Sequence, residues 1–355
     1  IILYRTCAQS LGYDKNECKA FLEPHKSNET KHIETEVQQY AMFINTVKMV
    51  MESVVPAILS FFLGTWSDRY GRKPLVRWPL LGKSYSKVYF RMFLSMVMTV
   101  VYSMLDDLGP WWFLVTSIPF SICGGYSVLF TGGTLSTVLD VSLVKEMFYE
   151  CFKKRPNNGR SQILLLVFAN GLTSIISYGL LNVEYFYTRT MLHWALKEFT
   201  IYFAINTAIA FVGNFLGVGV FQNVFRISDL AFAMFSFVSA LIEYLIKIFA
   251  IASWQMYFGA AISLFKGLST PLIRSLVTKI LPVQDIAKVL SLMGALDGIC
   301  PLISPMFYNM LYAATVTSFP QSIYVLSAGF TVLSIGMDSI ILKSGNLLYF
   351  REGDQ

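Results

Sequence analysis

The sequence predicts an all-α polytopic membrane protein, and three observations carry that prediction. Several apolar runs approach the roughly 20 residues a helix needs to cross a hydrocarbon core. Charged residues make up only 14% of the 355, against 55% hydrophobic ones, and the mean hydropathy is +0.54. A soluble chain of this length carries about a quarter charged residues. Lysines and arginines gather in the turns between the runs, as they do on the cytoplasmic side of helical membrane proteins. The short alternating segments of a transmembrane barrel are missing from the pattern.

Taken in order, Ile1–Leu3 reads as the end of a helix. Residues 4–38 form a polar outer loop carrying Cys7, Cys18 and the triplet Asn28-Glu29-Thr30. Asn28 is a glycosylation acceptor if that loop lies outside the cytosol. Cys7 and Cys18 share the loop and suit a disulfide in an oxidising compartment. Cys123, Cys151 and Cys300 suit small apolar packing positions. The first complete span covers about 40–63 and ends at the basic turn Gly64–Pro74. The second covers about 78–105 and meets the acidic turn Asp106-Asp107-Leu108-Gly109-Pro110. The third, about 111–139, holds Gly124-Gly125 and Gly132-Gly133, which permit close helix crossings. A second basic stretch, 145–160, returns to the side of the first. Further spans are expected at about 161–185, 200–221, 230–250, 253–274, 287–314 and 320–342, nine in all. An odd count starting outside leaves Lys343 and Arg351 inside, on the positive side. The chain divides into a loop (1–38), a partial N-terminal bundle (39–144), a cytoplasmic linker (145–160) and a C-terminal six-helix bundle (161–355).

The composition also excludes. The net charge of +6 sits in loops and forms no basic stripe interleaved with aromatics, so nucleic acid is not the expected partner. Five cysteines without ligand spacing and only three histidines argue against a structural metal. No Walker loop, H-E-x-x-H or G-x-S-x-G occurs, so neither an ATP-driven pump nor a familiar hydrolase is expected. The chain is read as a non-enzyme that needs no cofactor.

Ionisable residues inside spans are costly and are functional candidates by default. Lys48 and Glu52 stand four apart in the first complete span, as do Glu243 and Lys247 in a later one. Each pair can neutralise itself on one helix face, as a structural ion pair or as part of a transport site. Asp297, in Gly294-Ala295-Leu296-Asp297-Gly298, has no basic neighbour within a turn. It is a candidate proton carrier or a carboxyl satisfied from another helix. Lys83, Lys87 and Arg91 recur every four residues; the first two read as a cytoplasmic collar and Arg91 as a cavity candidate. Tyr178, Tyr185, Phe186, Tyr187 and Trp194 could stack on a planar ligand but read more readily as an interfacial belt.

The turn Gly64-Thr65-Trp66-Ser67-Asp68-Arg69-Tyr70-Gly71-Arg72-Lys73 resembles the loop between the second and third helices of major facilitator transporters, the latch of their cytoplasmic gate. Positive-inside charge alone explains neither Asp68, one helical turn before Arg72, nor Gly64 and Gly71. Three further stretches, Asp140-Val141-Ser142, Ser269–Lys279 and Phe307–Thr315, are similar to solute carrier family 46, over most of the chain. The resemblance implies a major facilitator fold, here incomplete: about nine of twelve helices, matching the family's second to fourth and seventh to twelfth. Helix one is reduced to Ile1–Arg5, and helices five and six have no counterpart. It further implies alternating access, a proton as driving ion and a small organic anion as substrate, at the plasma or lysosomal membrane. Arg274 matches an arginine of the family's folate transporter that handles substrate and proton; at the end of a span it reads equally as a snorkelling residue. Ser177, beside Tyr178, stands where that transporter has a histidine, and Tyr126 where it has an aspartate. Cys18 matches one partner of its loop disulfide, while His193 stands at the other. These departures favour a bulky anion other than folate. The rival expectation is a truncated, non-transporting isoform that binds partners or ligand without flux.

Overall fold

In the computed structural model, residues 2–14, 36–54, 109–118, 159–217 and 228–343 are described, with scattered positions at 18, 94–105 and 145–155. Among them the backbone is helical, with no strand. Helix α1 occupies 36–54. A 3₁₀ segment, Pro110–Ser117, opens on a proline whose missing N–H is unneeded at a helix start. The C-terminal half is a bundle: α2 (Gly159–Met191), α3 (Leu196–Leu216), α4 (Asp229–Ile248), α5 (Ser253–Ile262), α6 (Ser269–Ile280), α7 (Val283–Thr315) and α8 (Ser322–Lys343).

Five of these are long and apolar enough to cross a membrane: α2, α3, α4, α7 and α8. The run at 253–274, expected as one span, is broken. Helices α5 and α6 meet at 49°, with a 3₁₀ turn at Lys266–Leu268 between them. A break in lipid frees carbonyls that must find donors. Here α4 supplies them: Ser239 Oγ donates to the Ile262 carbonyl (3.1 Å) and Ser236 Oγ to that of Phe265 (2.8 Å). Beyond the break, α6 is amphipathic and buries Leu272, Ile273, Leu276, Val277 and Ile280.

Helices α2, α4, α7 and α8 form the centre of the bundle, with α2 against α7 and α8, and α4 against α8 and α6. Helix α3 is peripheral and approaches the α5–α6 break at Gly213, where a Cβ would collide with the Leu264 carbonyl. Gly213→Ala is therefore expected to push α3 away and cost about 1–3 kcal/mol. Gly329→Ala, which meets open space, should be neutral. Thermal unfolding in detergent micelles, compared across the two variants, checks this.

The N-terminal segment caps one end of the bundle. Cys7 and Cys18 are disulfide-linked, with Cα atoms 5.8 Å apart. Together with Leu3, Val37, Ala41 and Met42 they pack on Tyr187, Tyr308 and Tyr312. Arg5, 2% exposed, lies 3.9 Å over the Tyr102 ring and donates to the Tyr102 and Leu105 carbonyls, each at 2.6 Å. Cys151 and Cys300 are buried and not disulfide-linked. The aromatic belt is not what α2 and its neighbours build. Tyr187 is fully buried, edge-on to Tyr324 at 4.9 Å, and Phe186 and Trp194 are core residues. Helix α2 runs six residues past the expected end at 185, to Met191, and carries these rings inward.

Candidate functional site

Within the bundle lies a cavity of about 240 Å³, bounded by α2, α3, α4, the Lys266 turn and Thr331 of α8. Its wall is apolar along Ile176, Leu180, Leu181 and Phe203. Its charge is concentrated in four side chains that alternate in sign. Lys247 Nζ lies 2.7 Å from both Glu184 Oε1 and Glu243 Oε1. Lys266 Nζ reaches the two Glu243 oxygens at 2.8 and 2.7 Å and Asn206 Oδ1 at 3.4 Å. The hydroxyls of Tyr324 (3.2 Å) and Tyr202 (3.4 Å) donate to Glu184. Two carboxylates and two ammoniums sum to zero, which is how a membrane interior tolerates four ionised groups. Lys247 and Glu243 are sealed, at 2% and 0% exposure, whereas the Lys266 side chain keeps 23%. Lys266 is thus the cation of the set open to a ligand. The turn that bends the α5–α6 span is what carries it there.

A second constellation joins α2, α6 and α7. Asp297 of α7 forms an ion pair with Arg274 of α6. Its other oxygen accepts from Asn170 Nδ2 (3.0 Å) and Ser174 Oγ (2.6 Å) of α2. The absence of a basic residue within one turn of Asp297 thus gives way to an arginine from a neighbouring helix. Arg274 sits in mid-helix, paired, rather than snorkelling at a span's end. Its Nε is buried and without a hydrogen-bond partner. Tyr178, 37% exposed, stands on the same face of α2 one turn beyond Ser174. Ser177 lines the cavity and donates to the Thr173 carbonyl (2.9 Å).

Lys48 and Glu52 form a 2.7 Å pair on α1, with Lys48 5.0 Å from the Phe113 ring, outside both constellations. Gly64, Asp68, Arg69, Gly71, Arg72 and Lys73 of the gate motif, Arg91 and Asn28 lie outside the described residues. No cluster of potential metal ligands occurs among the described residues. Sequence reasoning passed over Glu184, Lys266 and Asp338. The rule that picked Asp297, a charge inside an apolar run, would have found all three. Glu184 stands one residue before the expected end of a span whose helix in fact continues to Met191.

No family model matches the sequence. Among curated proteins, the chain is 26% identical over 441 residues to a probable peptidoglycan muropeptide transporter of solute carrier family 46 from Drosophila melanogaster, covering 98% of this chain and 83% of that one. It is 23% identical over 196 residues to the lysosomal proton-coupled steroid conjugate and bile acid symporter of the same family from Rattus norvegicus. That match covers 54% of this chain and 41% of the rat protein. Among solved structures, a bacterial homolog to the human lysosomal transporter Spinster, inward-facing and occupied, aligns with a TM-score of 0.49 at 10% identity, over 91% of this chain and 98% of that one. That likeness is too loose to build on; the sequence matches to carriers are what count. The chain is a multi-pass membrane solute carrier, similar over most of its length to a member of solute carrier family 46.

Proposed function

We propose that this protein is a secondary active carrier that moves a bulky organic anion by alternating access, driven by a proton gradient. One observation carries the reading most directly. The cavity offers a single partly open ammonium, Lys266, against an apolar wall of Ile176, Leu180, Leu181 and Phe203. An amphipathic anion matches that pairing: its acid group reaches Lys266, and its hydrocarbon body covers the wall. Glu243 pairs with Lys266 and neutralises it, and an incoming anion competes with Glu243 for that cation. Arg274, with its unused Nε, supplies a second cationic position beside Asp297. The named substrates of relatives, muropeptides in the fly and steroid conjugates and bile acids in the rat, are anions of this amphipathic or bulky kind. The membrane concerned is the plasma or the lysosomal one.

Uptake into proteoliposomes holding the full chain tests this. With a radiolabelled steroid sulfate, bile acid, muropeptide and folate offered in turn, at least one of the first three should accumulate faster with acid on the substrate side. Lys266→Met should lose that accumulation. Saturable binding of a probe with no flux under any gradient would instead favour a non-transporting receptor or isoform.

A further inference from the structure

Helix α8 carries a polar face that meets the cavity only at Thr331. Ser327, Thr331, Ser334 and Asp338 follow one another at spacings of 4, 3 and 4, so they lie on one side of the helix. All four are buried, at 0, 1, 0 and 0% exposure. The hydroxyls are accounted for. Ser327 Oγ bonds the Tyr308 hydroxyl (2.9 Å), Thr331 Oγ1 donates to the Ser327 carbonyl (2.8 Å), and Ser334 Oγ to that of Phe330 (3.1 Å). Asp338 is not: neither carboxyl oxygen has a hydrogen-bond partner. Its neighbours Ile335, Met337 and Ile341 pack into an apolar cluster with Ile163, Leu166, Leu230 and Phe237.

The charged groups on the helices packed against α8 are, apart from one half-buried lysine on α7, engaged elsewhere, remote along the helix or at the surface. On α4, Asp229 holds Ser275 and Lys279, and Glu243 and Lys247 hold each other. On α2, Glu184 holds Lys247, Arg160 is exposed, and Arg189 lies in the last turn, at the opposite end from Ile163 and Leu166. On α7, Asp285 pairs with Arg155 and Asp297 with Arg274, while Lys288 is half-buried. On α8 itself, Lys343 ends the helix five residues on. Among the described residues, no charged side chain forms a hydrogen bond or ion pair with Asp338. An ionised carboxylate left alone in such surroundings is strongly disfavoured, and the group that relieves it is a proton. Every other span acid named here has a cation against it. Asp338 alone has none.

We propose that Asp338 is a proton-binding site of the carrier, connected to the cavity by the hydroxyl face of α8. Thr331 lines the cavity and stands seven residues, about 10 Å, from Asp338. Asp338 lies toward the Lys343 end, which charge placement puts on the cytoplasmic side. A proton held there is one whose release or capture alters the packing of α8 against α2 and α4, two of the helices that bound the cavity. Coupling of that proton to flux rests on the transport reading above; the proton site itself does not.

Infrared difference spectroscopy on the full chain in liposomes, between acidic and alkaline pH, reads the carboxyl directly. The wild type is expected to show a protonated carboxyl band that fades as pH rises. That band should vanish completely in Asp338→Asn, return in Asp338→Glu and survive in Asp297→Asn. Asparagine is nearly isosteric with the neutral acid, and circular dichroism verifies that each variant is folded. A titrating band that persists in Asp338→Asn, or its absence from the wild type, overturns the proposal. In the same liposomes, the ratio of bile acid uptake at acidic to neutral pH should fall to one in Asp338→Asn. If the wild type binds the proton but moves none of the anions named above, the transport reading fails and the proton site stands.

Discussion

Lys247→Met is expected to cost the fold about 3–5 kcal/mol, the penalty of removing one partner from a buried ionic set. Lys247 is 2% exposed and bridges Glu184 and Glu243 at 2.7 Å each. Without it, Glu243 keeps Lys266, but Glu184 retains only the two phenol donors of Tyr202 and Tyr324. The damage therefore concentrates at one carboxylate, and charge arithmetic names the cure. The set holds two negative and two positive groups. Lys247→Met leaves it at minus one, and adding Glu184→Gln restores zero while keeping an acceptor for both tyrosines. The double variant should regain more than half of the lost stability. Denaturation in detergent with increasing SDS measures both; a double variant no more stable than Lys247→Met would refute this account.

The second large effect concerns Arg274 and Asp297. Either Asp297→Asn or Arg274→Gln should reduce anion uptake at least about tenfold, equivalent to 1.4 kcal/mol. Their cost to folding should be smaller, since the Arg274 side chain is 43% exposed and its pairing is screened. Arg274→Gln combined with Asp297→Asn removes both charges at once. Folding is expected to recover, because Asn170 and Ser174 still offer hydrogen bonds to the new amide. Uptake is not expected to recover if the guanidinium serves the substrate as proposed, since the double variant lacks it. Recovery of uptake together with stability would reduce the pair to a structural bridge.

Much of this was legible beforehand. Runs of apolar residues have to be helices in lipid, because no other local structure satisfies its own backbone there. The five crossings α2, α3, α4, α7 and α8 accordingly fall within a few residues of the expected limits, α2 apart at its outer end. Charges inside those runs are visible by the same logic, so Lys48, Glu52, Glu243, Lys247 and Asp297 could be named from spacing and hydropathy alone. The break after Ile262 could not. Nothing local to 253–274 stops that helix; two serines on α4, more than twenty residues earlier, make the bend tolerable.

By itself, then, the sequence determined that the chain is an α-helical membrane protein, which stretches cross, and which of their residues are too costly to be accidental. Those properties follow from composition and from helical periods of a few residues. The tertiary structure alone decided who neutralises whom: Glu184 with Lys247 across 63 positions, Arg274 with Asp297 across 23, and Asp338 with nothing. In a low-dielectric interior the partner sets whether a charge is inert, a ligand site or a proton carrier. Partners on different helices are fixed by packing, which no local pattern encodes.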